Sequence, residues 1–283
     1  MKSPRADILA SRTLGDLVRR PDVRAEHAAI WIARDAHPNL VPSQVSASLD
    51  ALVDEFVVEQ LDQLDAHEQA TALIHHVSLR LGFHGNPREY YDPENSYLDS
   101  VLARRQGIPI ALAVVYIAVG ERVNIPVAPI GFPGHFLVRV GGDDESGGRE
   151  GVYVDPFEGR ILSSTDLELL LSRALGPASK LTPEHLVRVD VSQLAQRMLL
   201  NLKRIHDARR DHARAFLVTE RLVELGASPE LRRDRGLLAL KLGARQVASM
   251  DLAHYLLKRP NAKDAKEIRS ALTRSRKGTS LTN

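Results

Sequence analysis

The 283-residue sequence contains no cysteine. Disulfide bonds, thiolate metal sites and a cysteine nucleophile are therefore excluded. The absence of cysteine agrees with a reducing compartment, and residues 1–14 lack the apolar segment of a signal peptide. We therefore expect a cytoplasmic protein.

Neither sign of charge dominates, because 38 basic residues stand against 36 acidic ones for a net charge of +2. No strong field favours nucleic acid, so we expect no nucleic-acid partner. No apolar run reaches the roughly 20 residues of a membrane span, so we expect no membrane partner either. Apolar residues make up 43% of the chain, enough for an ordinary globular core, and the length predicts about two domains.

The most apolar stretch, from Ile108 to Val119, predicts a buried helix. It is apolar on every face, which is typical of a helix inside a core. Pro109 marks its start, because proline is tolerated in the first helical turn. We expect the helix to end before Pro126.

Two strands follow, His135–Val140 and Val152–Asp155, joined by a glycine-rich loop. Side chains alternate along a strand, so alternate residues share a face. A hairpin symmetric about Glu145 would pair position 140 with 150, and His135 with Asp155. Cross-strand neighbours are close enough to form a hydrogen bond, and the carboxylate would fix the tautomer of the imidazole.

A helix start beside a His–Asp pair resembles the active sites of papain and the transglutaminases. Their chemistry requires a thiolate at the helix start, where the helix dipole and the imidazolium both lower the thiol pKa. Ile110 and Ala111 stand there in this chain, and neither can attack a carbonyl. The acid–base half of such a site is present, and the nucleophile is absent.

Several separated motifs resemble the SirB-type family, bacterial proteins that join a transglutaminase-like core to tetratricopeptide-type helices. The motifs are Asn95–Leu98, Arg104–Ile110, Phe132–Leu137, Asp155–Gly159, Arg197–Lys203 and Asp234–Leu238. The resemblance implies an α+β fold that is mainly helical. It would contain a transglutaminase-like (papain-like) core with a small antiparallel sheet, followed by a C-terminal TPR-like helical region. It also implies that His135 and Asp155 are the remaining members of a catalytic triad.

We expect a substrate or partner cleft around this remnant dyad, lined by Asn95, Tyr97, Arg104, Arg105, Phe132 and Tyr153. The two arginines could bind an anionic ligand, or they could cap a helix and pair with carboxylates. Tyr97 could line the cleft or pack in the core. Ser96, followed by Asp99, resembles a capping box. One histidine and one aspartate are too few ligands for a metal, and no cofactor is expected.

The predicted organisation has five segments: an N-terminal helical segment (1–40), the transglutaminase-like core (41–176), a linker (177–190), TPR-like helices (191–275) and a disordered tail (276–283). The TPR-like region contains an internal repeat at an offset of 35 residues. Its matched positions are Leu202 with Leu237, Ile205 with Leu240, Ala213 with Ala248, Leu217 with Leu252 and Leu222 with Leu257.

A group of arginines in the same region could meet an acidic partner, or could form internal ion pairs on a solvated face. Its members are Arg209, Arg210, Arg232, Arg233 and Arg235.

Three functions fit the sequence. The first is a non-catalytic module that binds an unknown protein or peptide. The second is a hydrolase or transferase that uses His135 and Asp155 as a general base without an enzyme nucleophile. The third is an adaptor in which the cleft is filled. The absent nucleophile favours the first, in which the protein is not an enzyme. The oligomeric state is left open.

Overall fold

A computed structural model describes residues 11–56, 63–142, 151–226 and 228–276. They form two compact units, one of residues 20–198 and one of residues 11–19 with 199–276. Of the predicted N-terminal helical segment 1–40, residues 11–19 belong to the second unit and residues 20–40 to the first, and residues 1–10 lie outside the described residues. Residues 277–283 of the predicted disordered tail lie outside the described residues.

The chain is mainly helical, with two small sheets. The α-helices are α1 Leu14–Val18, α2 Ala25–Ala36, α3 Pro42–Ala51, α4 Ala66–Ile74, α5 Leu98–Arg104, α6 Pro109–Val123, α7 Ser164–Leu175, α8 Val191–Ala208, α9 His212–Glu224, α10 Pro229–Lys241, α11 Arg245–Lys258 and α12 Ala265–Arg276. A π-helical turn, His75–Arg80, continues α4, and 3-10 turns cover Pro93–Asn95 and Pro183–Leu186. The strands are β1 His84–Gly85, β2 Gln106–Gly107, β3 Val127–Ile130, β4 Leu137–Val140, β5 Val152–Asp155 and β6 Arg160–Ile161.

Helix α6 is the centre of the first unit, as its apolar sequence predicts. Ile108 is its N-cap residue, and every residue from Pro109 to Gly120 is buried. Helices α2, α3, α4 and α5 and strands β3 and β4 pack around it. Gly120 is required by the close approach of β3, because a Cβ there would lie 2.4 Å from Val127 Cγ2. None of the helices in the described residues combines the length and apolarity that crossing a membrane would require.

The larger sheet is antiparallel, in the order β3–β4–β5–β6. Val138 pairs with Val154, and Val140 pairs with Val152. Strand β4 begins at Leu137, so the predicted strand start at residue 135 is wrong and that residue lies in the preceding turn. The side chains of Val138, Val140 and Val154 are fully buried.

The predicted hairpin register is also wrong, by two residues. The prediction placed His135 opposite Asp155, whereas the observed pairing would continue to put Asp155 across from Leu137. A one-residue shift moves every side chain to the other face of a sheet, but a two-residue shift keeps every side chain on its face. Alternation in the sequence therefore could not distinguish the two registers.

The helices of the second unit repeat their burial pattern every 33 residues. Ala215 and Ala248 are equivalent and both fully buried, as are Leu222 and Tyr255 at 0% and 2% exposure. The predicted 35-residue offset is wrong, because it matches buried Leu222 with a leucine, Leu257, that is 78% exposed. A region rich in leucine and alanine offers several self-alignments, and only burial distinguishes them.

Three of the five candidate arginines form internal ion pairs. Arg235 binds Asp251 through two hydrogen bonds of 2.6 and 2.9 Å, and Arg232 Nη1 lies 3.7 Å from the same carboxylate. Arg233 lies 2.8 Å from Asp234 and 2.7 Å from Asp264. The ion-pair alternative is confirmed for these three.

Arg209 and Arg210 are exposed and make no ion pair with the described part of the chain. For these two residues the acidic-partner alternative stays a prediction.

We expect Ala248→Leu to destabilise the second unit by about 1–3 kcal/mol, because the added atoms overpack a position with no exposed surface. Urea unfolding measures the change. Ala213→Leu is the matched control, since Ala213 is exposed on α9. Equal stability of the two variants would contradict the 33-residue equivalence.

Candidate functional site

His135 and Asp155 form a hydrogen bond, with 2.8 Å between Nε2 and Oδ2. The imidazole is 16% exposed and the carboxylate 3%. His135 reaches Asp155 from the turn before β4, as a diagonal neighbour rather than as a directly paired one. The contact expected from the sequence is present, although the register that led to it differs.

The Asp155 carboxylate is held by its own turn. Its Oδ1 accepts hydrogen bonds from the backbone N–H groups of Phe157 at 2.8 Å and Glu158 at 3.3 Å. The other carboxylate oxygen, Oδ2, can only accept a hydrogen bond, so its partner Nε2 must be the donor. In the neutral ring of His135 the proton therefore lies on Nε2. The lone pair of Nδ1 is then left for another group, and Nδ1 has no hydrogen-bond partner within the ranges that the structure describes.

Tyr116 of α6 lies near this pair and stays protonated at neutral pH. Its hydroxyl and that of Ser78 are 2.7 Å apart. Burial raises the pKa of Tyr116 to about 12, and the negative charge of Asp155 acts in the same direction. Tyr116 can therefore donate a hydrogen bond but cannot serve as a base.

Aromatic rings flank the imidazole. Phe157 meets His135 edge-on at 6.5 Å between ring centroids, and Tyr90 lies 6.0 Å from Phe157. The Phe157 ring occupies the space beside Gly85, where a Cβ would come within 2.4 Å of it. The dyad therefore stands beside an apolar surface that a side chain of a bound molecule could contact.

The start of α6 carries no group capable of attack. Ile110 and Ala111 are each 1% exposed. The N–H of Ile108 donates to the carbonyl of Asn95 at 3.0 Å, which ties the preceding loop to the helix start. Apolar packing occupies the position where a thiolate would be required.

Of the predicted cleft residues before α6, three have structural contacts. The Asn95 amide donates to the Glu89 carbonyl at 2.7 Å. Arg104 pairs with Asp92 at 2.8 Å. The ring of Tyr97 packs edge-on against His37 at 5.0 Å, and Tyr97 is 4% exposed.

The predicted capping role of Ser96 is wrong. Tyr97 is the N-cap residue of α5, and no side chain caps this helix. Ser96 is fully buried, and its hydroxyl lacks a partner among the described residues. The 3-10 turn Pro93–Asn95, capped by Asp92, shifts the helix start by one residue.

The other predicted cleft residues are dispersed. Arg105 takes a left-handed conformation (φ 59°) after α5. Its guanidinium lies 4.5 Å from the Phe83 ring centroid, and burial lowers its pKa. Phe132 is fully buried in a cluster that Tyr153 packs against. Arg105 lines a cavity of about 350 Å³, and Tyr153 lines a different one of about 610 Å³.

Arg197 was missed as a site residue. Its Nη2 donates to the carbonyls of Phe132 at 3.1 Å and His135 at 2.8 Å, so it holds both ends of the turn that presents the imidazole. Gly131 permits the close packing beside this turn, because a Cβ there would lie 2.7 Å from Val189 Cγ1 and 3.0 Å from Arg197 Nη1. Burial lowers the pKa of Arg197. The motif Arg197–Lys203 stands out in the sequence, but no spacing rule indicates a contact across 62 residues.

Within the described residues, no group of three or more histidine, cysteine, aspartate or glutamate residues is placed to hold a metal ion.

Residues 43–200 match a family model described as the transglutaminase-like superfamily. The chain belongs to this superfamily. Residues 202–273 match a tetratricopeptide repeat model. Both matches agree with the transglutaminase-like core and the TPR-like region expected from the sequence.

Relatives of this transglutaminase-like protein carry names without an activity. A UPF0162 protein of Xylella fastidiosa is 35% identical over 251 residues, which cover 86% of this chain and 87% of the relative. A UPF0162 protein of Pseudomonas aeruginosa is 34% identical over 70% of this chain and 71% of its own. Protein SirB1 of Salmonella typhimurium is 28% identical over 79% of this chain and 81% of its own. The SirB-type resemblance is confirmed.

Among solved structures, an alignment with menin covers 94% of this chain and 66% of the menin chain. The TM-score is 0.39 and the sequence identity 11%, so this similarity supports no conclusion about the transglutaminase-like protein.

A cysteine introduced at Ile110 or Ala111 tests whether the transglutaminase-like site keeps its electrostatic arrangement. Burial alone would raise the thiol pKa, whereas the helix N-terminus and a nearby imidazole lower it. We expect a thiol pKa below the reference value of about 8.5 at one of the two positions. Thiolate absorbance against pH measures the pKa, and Ala47→Cys is the control because Ala47 is an exposed residue of α3. A raised thiol pKa at both positions would show that the helix start does not face His135.

We expect Arg197→Met to destabilise the first unit by about 1.5–3 kcal/mol, because it removes a charged donor from two carbonyls. Arg197→Lys should recover part of the loss, since it keeps a cationic donor. Chemical denaturation measures both variants. The control is Arg173→Met, because Arg173 is an exposed residue of α7 and its replacement should change stability by no more than about 0.5 kcal/mol. An equal effect at both sites would remove Arg197 from the description of the His135 turn.

Proposed function

We propose that this chain is a non-catalytic transglutaminase-like protein that binds a protein or peptide. The observation that carries the proposal is the apolar start of α6, where Pro109, Ile110 and Ala111 are all buried in a chain that has no cysteine. Acyl transfer through an enzyme thioester has no nucleophile to begin with. The tetratricopeptide match over residues 202–273 supports a role in protein interaction.

A binding role gives the retained dyad a use that needs no nucleophile. Asp155 orients the ring so that Nδ1 can accept a hydrogen bond from a bound chain. Phe157 and Tyr90 supply apolar surface beside it. A few oriented polar groups within apolar surroundings are typical of a binding site. We place the protein in the cytoplasm, on the strength of its lack of cysteine.

The 2.8 Å bond between His135 and Asp155 favours a second candidate function. A ring held through Nε2, with Nδ1 left as an acceptor, is also the arrangement of a general base that activates water or a substrate hydroxyl. In that case the protein would be a hydrolase or transferase without a covalent intermediate. The two functions differ in whether a bound molecule is turned over.

The wild-type protein should neither incorporate a fluorescent amine into casein nor hydrolyse casein above the level of His135→Ala. The physical reason is the missing nucleophile. Purified protein, with and without His135→Ala, is assayed for both reactions. Turnover by wild type that the substitution abolishes would replace the binding role by the general-base alternative.

Binding is tested in parallel by capture from native lysate on immobilised wild type and His135→Ala. His67→Ala is the matched control, because His67 is an exposed histidine on α4. We expect a captured protein or peptide that is lost with His135→Ala and kept with His67→Ala. Identical captures by all three would remove the dyad from the binding site.

A further inference from the structure

The outer face of α11 exposes two large apolar side chains more fully than any other part of the second unit that the structure describes. Met250 is 67% exposed and Leu257 is 78% exposed. Seven residues separate them, so they lie on one face of the helix, with Ala253 between them. The opposite face packs inward through Leu252 and Tyr255.

The 33-residue equivalence gives the Leu257 end of this face a counterpart in the same unit. Leu257 corresponds to Glu224 at the end of α9. There the short helix α1 docks, and the N–H of Leu14 donates to Glu224 Oε2 at 3.2 Å. Leu14 and Leu17 are fully buried. The approach is close, because a Cβ on Gly15 would lie 2.7 Å from the Glu224 carbonyl oxygen.

The end of α9 is therefore covered by a short amphipathic helix, whereas the equivalent end of α11 is uncovered by the described residues. We propose that the α11 face, defined as Met250, Ala253 and Leu257, docks a short amphipathic helix of a partner protein. That helix would carry apolar side chains three or four residues apart, as Leu14 and Leu17 are in α1. This inference rests on the proposed function and names the chemistry of its partner.

The net positive charge of the second unit indicates the charge of the partner helix's polar face. Residues 199–276 contain 18 lysines and arginines against 9 aspartates and glutamates. The single carboxylate of α11, Asp251, is 2% exposed and bonded to Arg235, so its charge is already compensated. Arg245 and Lys258 are exposed near the two ends of α11. An acidic polar face on the partner would complement this surface and steer its approach.

The difference between Glu224 and Leu257 also explains why the partner helix on α11 must differ from α1. At the end of α9, Glu224 receives a backbone N–H of the docked helix. At the end of α11, Leu257 offers only apolar surface. The partner must therefore bind α11 through apolar side chains, with its acidic groups toward the cations at the helix ends. This is the helix-on-surface mode in which anchors three, four and seven residues apart carry the affinity.

The probe is a fluorescein-labelled synthetic peptide of about five helical turns, with leucines three and four residues apart and glutamates at the other positions. Its anisotropy is followed with the full-length chain. Leu257→Glu and Met250→Glu should each weaken binding by at least about tenfold, because they place like charge and remove an anchor. Leu200→Glu is the control, since Leu200 is 41% exposed on α8 and carries the same change of charge. It should leave the affinity within about twofold.

Binding should also weaken steeply as ionic strength rises past about 0.15 M, where the Debye length is about 8 Å. Failure of the wild type to bind, or equal binding of a peptide with lysines in place of the glutamates, would overturn the proposal. So would a wild-type dimer that Leu257→Glu dissociates in sedimentation, which would make a second copy the occupant. Binding of anionic vesicles that Leu257→Glu abolishes would assign the face to a membrane and would also overturn it.

The two proposals fail separately. Turnover at His135 would end the non-catalytic function and leave the peptide affinity unchanged. We expect His135→Ala to bind the peptide as wild type does, whereas loss of peptide binding only in the α11 variants concerns this face alone.

Discussion

The burial of α6 on every side is the constraint on which the first unit depends. A helix without a polar face must be covered all round, and α2–α5 with β3 and β4 supply that cover. Arg122, near the end of α6, binds Glu26 of α2 at 2.6 and 3.2 Å and Asp50 of α3 at 2.8 Å. Both Arg122 and Glu26 are nearly inaccessible, so removing either partner would cost about 3–5 kcal/mol.

The same constraint separates the two halves of the candidate site. The helix start is apolar because the core requires it, and the polar half comes from the turn before β4 and the end of β5. Asp155 is oriented by two backbone N–H groups, and the His135 turn is held by Arg197. The dyad is therefore organised independently of any nucleophile, which is why it can persist in a transglutaminase-like protein proposed to bind rather than to catalyse.

The central helix could be predicted from sequence, because its apolar composition determines its burial. The His–Asp contact was also predicted, but from a strand start and a register that both differ from the structure. The hairpin register could not be predicted, since a shift of two residues preserves every face. The repeat offset of 35 was wrong because Leu222 matches Leu257 by residue type, whereas burial matches Leu222 with Tyr255. The role of Arg197 could not be predicted for another reason. Its side chain binds backbone carbonyls of residues distant in the chain, and such contacts leave no pattern of side chains in the sequence.

The position of the proton on the His135 ring tests most directly whether Asp155 orients the imidazole of the candidate site. Nitrogen NMR of histidine-labelled protein, with His135→Gln for assignment, reports which ring nitrogen carries the proton. In the neutral ring we expect the proton on Nε2, directed at Asp155, and Nδ1 without a proton. Asp155→Ala should then produce a mixture of tautomers. A wild-type ring protonated on Nδ1, or one whose tautomers do not respond to Asp155→Ala, would contradict the account.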